Sequence, residues 1–137
     1  MSVFTDQEIA YLNEQRLGRL ATVGAGNKPH VVPVGFRYDA KTDTIHIGGH
    51  SFGETKKFRD AKANPHVAFV IDDLASIDPW QPRGIEIRGR AETFSKEGSH
   101  LGPGYDEAWM QIKPARIISW GLDEDDGRSR NSRSVSA

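Results

Sequence analysis

The sequence predicts a mainly β fold, an antiparallel barrel that is closed or partly closed. Three observations carry that expectation. About six short runs either alternate apolar and polar residues or read as buried strands. Helix signals are confined to two short segments, one near the start and one near the middle. No strand–helix–strand repetition appears, which argues against a parallel sheet with crossover helices. The length of 137 residues suits one domain. A chain of that size buries roughly two-thirds of its unfolded surface and needs no disulfide to hold a core. It has no cysteine, which excludes thiol catalysis, thiolate metal sites and a disulfide scaffold.

Each element has its own local signal. Thr5 and Glu8 form a capping box, and Phe4 is spaced to staple onto Ile9, so a helix should run from there to about Gln15. Gly18 to Val23 reads as the first strand, ended by a Gly24–Lys28 turn in which the glycines and Asn27 accept positive φ. Pro29 to Tyr38 is the second strand, with apolar residues on both faces, so both should be partly covered. Thr44 to Gly48 is the third, with Ile45 and Ile47 inward, and a three-strand meander is the simplest arrangement. Ser51 and Glu54 make a second capping box before a short helix over Thr55 to Ala63, stopped by Asn64-Pro65. His66 to Ile71 is a buried-type strand. Asp72 to Arg83 reads as an irregular loop, and Gly84 to Phe94 as a long strand with Ile85, Ile87, Gly89 and Ala91 on one side. A glycine-rich stretch leads through Tyr105 to Met110, and Ala115 to Gly121 is the last strand. The expected domain is therefore 1–122, with a disordered tail over 123–137.

Charge narrows the partners. Eighteen basic residues against 19 acidic ones leave a net charge of -1, with no global field to draw a nucleic-acid backbone or an anionic membrane. No apolar run approaches the roughly 20 residues of a membrane span, and the first residues lack a leader pattern. A soluble, cytoplasmic protein is expected, with neither nucleic acid nor membrane as partner.

Three constellations are candidates for chemistry. Gly49-His50-Ser51-Phe52-Gly53 matches a nucleophile elbow between strand and helix, but that chemistry needs a parallel sheet this pattern does not supply. His46, His50 and His30 suggest metal ligation, yet no carboxylate is grouped with them, so no metal is expected. The third is an anion site. Gly48 and Gly49 let a ligand approach the main chain, and Ser51 offers a hydroxyl. Unpaired N–H groups are expected at Phe52 to Glu54, and Lys56 and Lys57 add positive charge. A phosphate suits that set. The alternative is that Lys56, Lys57, Arg59 and Lys62 form the solvated face of a surface helix.

The order of motifs resembles the split-barrel flavin and deazaflavin family that includes pyridoxamine 5'-phosphate oxidase. The resemblance is carried by Leu17-Gly18-Arg19-Leu20-Ala21-Thr22, by Pro29 to Phe36, and by Lys57 ahead of Asn64-Pro65-His66-Val67-Ala68. Ile47-Gly48-Gly49-His50, the Asp72 to Trp80 segment, Arg83 to Glu92 and Ile117-Ile118-Ser119-Trp120-Gly121 are similar to actinobacterial members that use coenzyme F420, in the subgroup of the oxytetracycline-biosynthesis reductase.

That resemblance implies an FMN-binding type of split β-barrel and a homodimer with cofactor sites at the interface. It implies coenzyme F420, with FMN as alternative, in an oxidoreductase that transfers a hydride to a small enone or quinone-like substrate. A non-catalytic flavin, F420 or haem carrier is the other reading. Lys57 would hold the cofactor phosphate with Ser51 assisting, and Lys56 stands where oxidase members carry arginine. Main chain of Val32, Pro33 and Val34, and of Ile47, Gly48, Gly49 and His50, would lie along the ring. Trp80 and Arg83 are candidates for the rim, His50 and Tyr105 for a proton donor. Lys28, Arg37, Arg59 and Lys62 are the cations available to the acidic tail of F420.

Overall fold

The computed structural model describes residues 1–123 and 130–135. Its elements are α1 (Asp6–Glu14), β1 (Leu17–Val23), β2 (Pro29–Gly35), β3 (Arg37–Asp39), β4 (Thr44–Ile47), α2 (Lys56–Ala63), β5 (His66–Ser76), β6 (Gln81–Phe94), β7 (Trp109–Trp120) and β8 (Arg130–Ser134). One sheet joins the strands in the order β2-β1-β5-β6-β7-β4-β3, with β8 added along β7. Every pairing is antiparallel.

Curling follows from that order. The two ends of the path, β2 and β3, are separated in the chain by Phe36 alone, so the sheet must bend round until its ends nearly meet. They do not pair with each other, which leaves an unpaired edge on each and a split between them. The expected meander therefore fails. The run Pro29 to Tyr38 breaks at Phe36, and its second part pairs with β4 on the far side of the split.

The core fills the inside of the curl. Leu20, Ile45, Ile47, Phe69, Ile71, Ile85, Ile87, Met110, Ile112 and Ile117 are fully buried there. The alternation read in Gly84 to Phe94 holds, with Ile85, Ile87, Gly89 and Ala91 buried. In β4 all four residues are buried, because more chain covers the face opposite Ile45 and Ile47. In β2 the reverse occurs: Pro29, Val31, Pro33 and Gly35 are exposed, since nothing among the described residues packs over them.

Three further expectations are corrected. Asp72 to Arg83 is not a loop; β5 and β6 continue as a ladder to the pair Ser76–Gln81, forming a long hairpin that leaves the barrel. The last strand begins at Trp109, because ladder bonds to β6 and β4 organise residues with weak strand signals of their own. The tail is not wholly disordered. Arg130–Ser134 pairs with Arg116–Trp120 of β7, and Arg133 reaches Glu8 of α1 at 2.6 Å. Positions 124–129 and 136–137 of that expectation lie outside the described residues. No helix among the described residues is long and apolar enough to cross a membrane.

Candidate functional site

The segment from Gly48 to Lys57 links β4 to α2 and holds half of the candidate cofactor-binding residues. The Thr5–Glu8 capping box forms as read, but Ser51 and Glu54 do not repeat it. Ser51 takes a left-handed conformation with φ 51° and makes no side-chain cap bond. Thr55 caps α2 instead, accepting from the Phe58 amide. Two contacts fix this path: the Gly53 amide donates to Asp106 Oδ2 at 2.9 Å, and the Asp106 amide donates to the Gly49 carbonyl at 2.9 Å. The Glu54 amide donates to the Ser51 carbonyl, so two of the three N–H groups expected to be free at Phe52 to Glu54 are used. The amides of Lys56 and Lys57, at the first turn of α2, have no partner among the described residues.

The two lysines differ. Lys56 is paired with Asp60 one turn on at 3.2 Å, and Asp60 also accepts from Thr22. Lys57 has no hydrogen bond or ion pair among the described residues, and its ammonium lies 5.3 Å from the centroid of the buried Phe52 ring. Burial depresses its pKa from the ordinary lysine value. A half-buried cation with nothing opposite it is a standing electrostatic cost that a bound anion removes. The pairing of Ser51 hydroxyl, first-turn amides and Lys57 therefore fits a phosphate.

As an elbow nucleophile Ser51 fails. Its positive φ matches, but no histidine or carboxylate bonds its hydroxyl among the described residues, and the sheet is antiparallel. Nor do three His, Asp or Glu side chains converge as a metal site among those residues.

The ring-side segment is bordered by the 97–106 loop. Gly48 is in close contact with that loop: an added Cβ would lie 2.6 Å from Leu101 and 3.2 Å from Tyr105. His50 is exposed and stacks on Tyr105, with ring centroids 6.3 Å apart. His46 and His100 tie the loop down through a ring-nitrogen contact, Nδ1 to Nε2, of 3.0 Å, and both rings pack on Trp109. Arg37 adds two bonds, to the carbonyls of His100 and Leu101. The contacts of His46 and Arg37 with the loop were missed in the sequence because they join residues 54 to 64 positions apart.

Burial lowers the His46 pKa below its ordinary value, opposed by Asp39 at 3.6 Å and reinforced by His100 and Arg37. A depressed histidine favours the folded state most when neutral. Its contribution is complete above the unfolded value of 6.5 and is lost as pH falls through the folded pKa. Thermal melts between pH 8 and 5 should show that acid-side loss. His46→Gln should lower the slope by up to about 1.4 kcal/mol per pH unit, the limit for one proton. Equal slopes in both proteins would refute the assignment.

Other candidates stand apart. Val34 is buried, Val32 half-buried and Pro33 exposed on β2, beside the split. Trp80 is 67% exposed at the hairpin tip. Arg83 is not a free rim cation: it pairs with Asp73 at 2.7 Å and Glu14 at 2.9 Å, and lies over the Tyr11 ring. The tip is roughly 30 Å along β5 from the α2 end of the barrel, at about 3.3 Å per residue, so one chain does not bring Trp80 to Lys57.

The unpartnered Lys57 ammonium and the free first-turn amides of α2 suit a ligand that carries a phosphate. A family model described as pyridoxamine 5'-phosphate oxidase matches residues 4–132. The 5a,11a-dehydrotetracycline/5a,11a-dehydrooxytetracycline reductase of Streptomyces rimosus is 40% identical over 134 residues, covering 98% of this chain and 94% of that protein. F420H(2)-dependent biliverdin reductase of Mycobacterium tuberculosis is 50% identical over 43 residues, 31% of each chain. General Stress Protein 26 of Bacillus anthracis shares the fold, with a TM-score of 0.66 at 20% identity over 95% of this chain and 97% of that one. This chain belongs to the pyridoxamine 5'-phosphate oxidase family, on the branch of the dehydrotetracycline reductase.

Proposed function

We propose that this protein is an F420-dependent oxidoreductase that reduces a conjugated carbonyl compound, an enone or quinone-like molecule. The observation that carries it is Lys57, a half-buried ammonium without a partner among the described residues. The reductase relatives support oxidoreductase activity, and the name of the mycobacterial one supports F420 over FMN. When bound, the cofactor would supply the hydride. The chain's part is to hold the phosphate at Lys57 and Ser51, and to seat the ring along the main chain of Ile47 to His50 and the free edge of β2. Of the four cations expected to meet the F420 tail, Arg37 and Arg59 are committed to backbone carbonyls. Lys28 and Lys62 are exposed without a partner among the described residues, which favours them for that role.

A homodimer belongs to the same proposal. The outer face of β1 and β2 exposes Leu17 by 57% and Val31 by 65%, beside Pro29 and Pro33. It borders an apolar groove of about 540 Å³ lined by Ala21, Val23, Pro29 and Ala68 among others. A second copy over this face removes that surface from water, and its hairpin is the available source of a Trp80 near the cofactor. Among the described residues neither His50 nor Tyr105 has a partner that marks it as an obligatory proton donor, so solvent can protonate the product.

Titration of the purified protein with F420 and separately with FMN tests the reading, alongside sedimentation. F420 should bind more tightly, and Lys57→Ala should weaken it by about 10- to 100-fold, the value of a charged hydrogen bond of roughly 1.5–3 kcal/mol. The wild type should sediment as a dimer. Tighter FMN binding would move the protein to the flavin reading, and no effect of Lys57→Ala would remove the phosphate assignment.

A further inference from the structure

A concavity lies beside Tyr105, lined by none of the residues proposed to hold the phosphate. It is a cleft of about 350 Å³ between the end of α1 and the split, bordered by Asn13, Arg16, Phe36 and Tyr105. A smaller hollow shares Gly35, Phe36, Arg37 and Tyr105 with it and reaches Gly48. The two adjoin along these shared residues, between the α1 end and the strand end where the ring is proposed to lie. A volume of that order is in the range that takes a small organic ligand.

The chemistry of the walls is specific. Phe36 and Tyr105 offer aromatic surface, and the Phe36 ring is braced edge-on by the buried Phe69 at 5.3 Å. The cleft has two arginines, and they are not equivalent. Arg37 spends its guanidinium on the carbonyls of His100 and Leu101. Arg16 is exposed and has no hydrogen bond or ion pair among the described residues. Arginine pairs well with planar oxyanions and stacks on aromatic faces. The nearby carboxylates, Asp73 and Glu14, are already paired with Arg83.

We infer that this cleft is the substrate pocket, and that Arg16 selects a flat conjugated carbonyl compound carrying an ionised oxygen, a phenolate, enolate or carboxylate. This rests on the proposed reductase reading and adds the charge of the substrate to it. The ring stacks against Phe36 and Tyr105, and the ionised oxygen points to the α1 end. The same chemistry could come from the acidic tail of the cofactor, so the test separates the two.

The probe is a matched pair, 2-hydroxy-1,4-naphthoquinone, which is ionised at pH 7.5, and neutral 1,4-naphthoquinone. Binding is read by calorimetry on the protein loaded with oxidised F420, which has no hydride to give, and on the protein alone. The hydroxy anion should bind at least tenfold more tightly than its neutral partner. Arg16→Gln should bring the two within twofold and leave F420 affinity within twofold of wild type. Equal affinities in the wild type overturn the inference, as does a preference that survives Arg16→Gln. Loss of F420 affinity in Arg16→Gln overturns it too, by giving the cleft to the cofactor tail. Failure of F420 to bind the wild type counts against the proposed function alone, because the probe pair is still read on the protein alone.

Discussion

Replacing Arg133 with methionine lowers the stability of this protein by about 3 kcal/mol, and its melting temperature by roughly 10 °C. Glu8 is the reason. It is 1% exposed, and its carboxylate accepts from Arg133, from the Ser119 hydroxyl at 2.6 Å and from the Thr5 amide at 2.9 Å. Burial pushes its pKa up, but the bonds from Arg133, Ser119 and Thr5 more than offset this and hold it below the ordinary value of 4.5. Arg133 also donates to the Val3 carbonyl at 2.6 Å. Removing the arginine leaves a charge buried without its partner, which is the costly way to break such a pair. Adding Glu8→Gln to the variant should recover part of the loss, since a neutral amide is less penalised. The wild-type contribution is complete above pH 4.5 and is lost as pH falls through the depressed pKa, so the gap between the proteins should close on acidification. A melting temperature for Arg133→Met within 2 °C of wild type would show that β8 is not part of the stable fold.

Phe69→Ala should cost about 4 kcal/mol, the range for truncating a large buried aromatic. Phe69 is fully buried, and its ring fills the space over Gly18, where any Cβ would collide with it. The same ring braces Phe36 at the cleft. Gly18→Ala alone should cost about 2 kcal/mol through overpacking. In the Phe69→Ala background it should cost much less, because the added methyl enters the cavity. Denaturant unfolding of the four proteins reads this coupling directly. Additive losses would mean that the two positions do not share one space.

Much of the fold was legible because its signals are local. The Thr5–Glu8 box, the Gly24–Lys28 turn and the inward run Ile85, Ile87, Gly89, Ala91 each depend on residues a few positions apart. So does the placement of Lys57 near the start of α2. Where local signals conflict, the reading failed. Ser51 and Thr55 are both acceptable caps by type, and the choice fell to Thr55 because Asp106, more than fifty residues away, holds Gly49 and Gly53. The tail from Arg130 is polar enough to read as disordered, yet β7 offers it an edge and Glu8 offers Arg133 a counter-charge. Arg83 was a rim candidate, and its pairing is not visible in the sequence because Asp73 and Glu14 become its neighbours only when the hairpin folds against α1.

The sequence by itself determined a mainly antiparallel barrel and its family. Those depend on periodicity, on turn residues and on the order of motifs along the chain. The tertiary structure alone decided which lysine is free, which cleft Tyr105 borders, which arginine is spent and where the sheet stays open. Each of these is a question of what stands opposite a side chain. A charge is satisfied or left unpaired by neighbours that the fold supplies from distant positions, and no spacing along the chain records them.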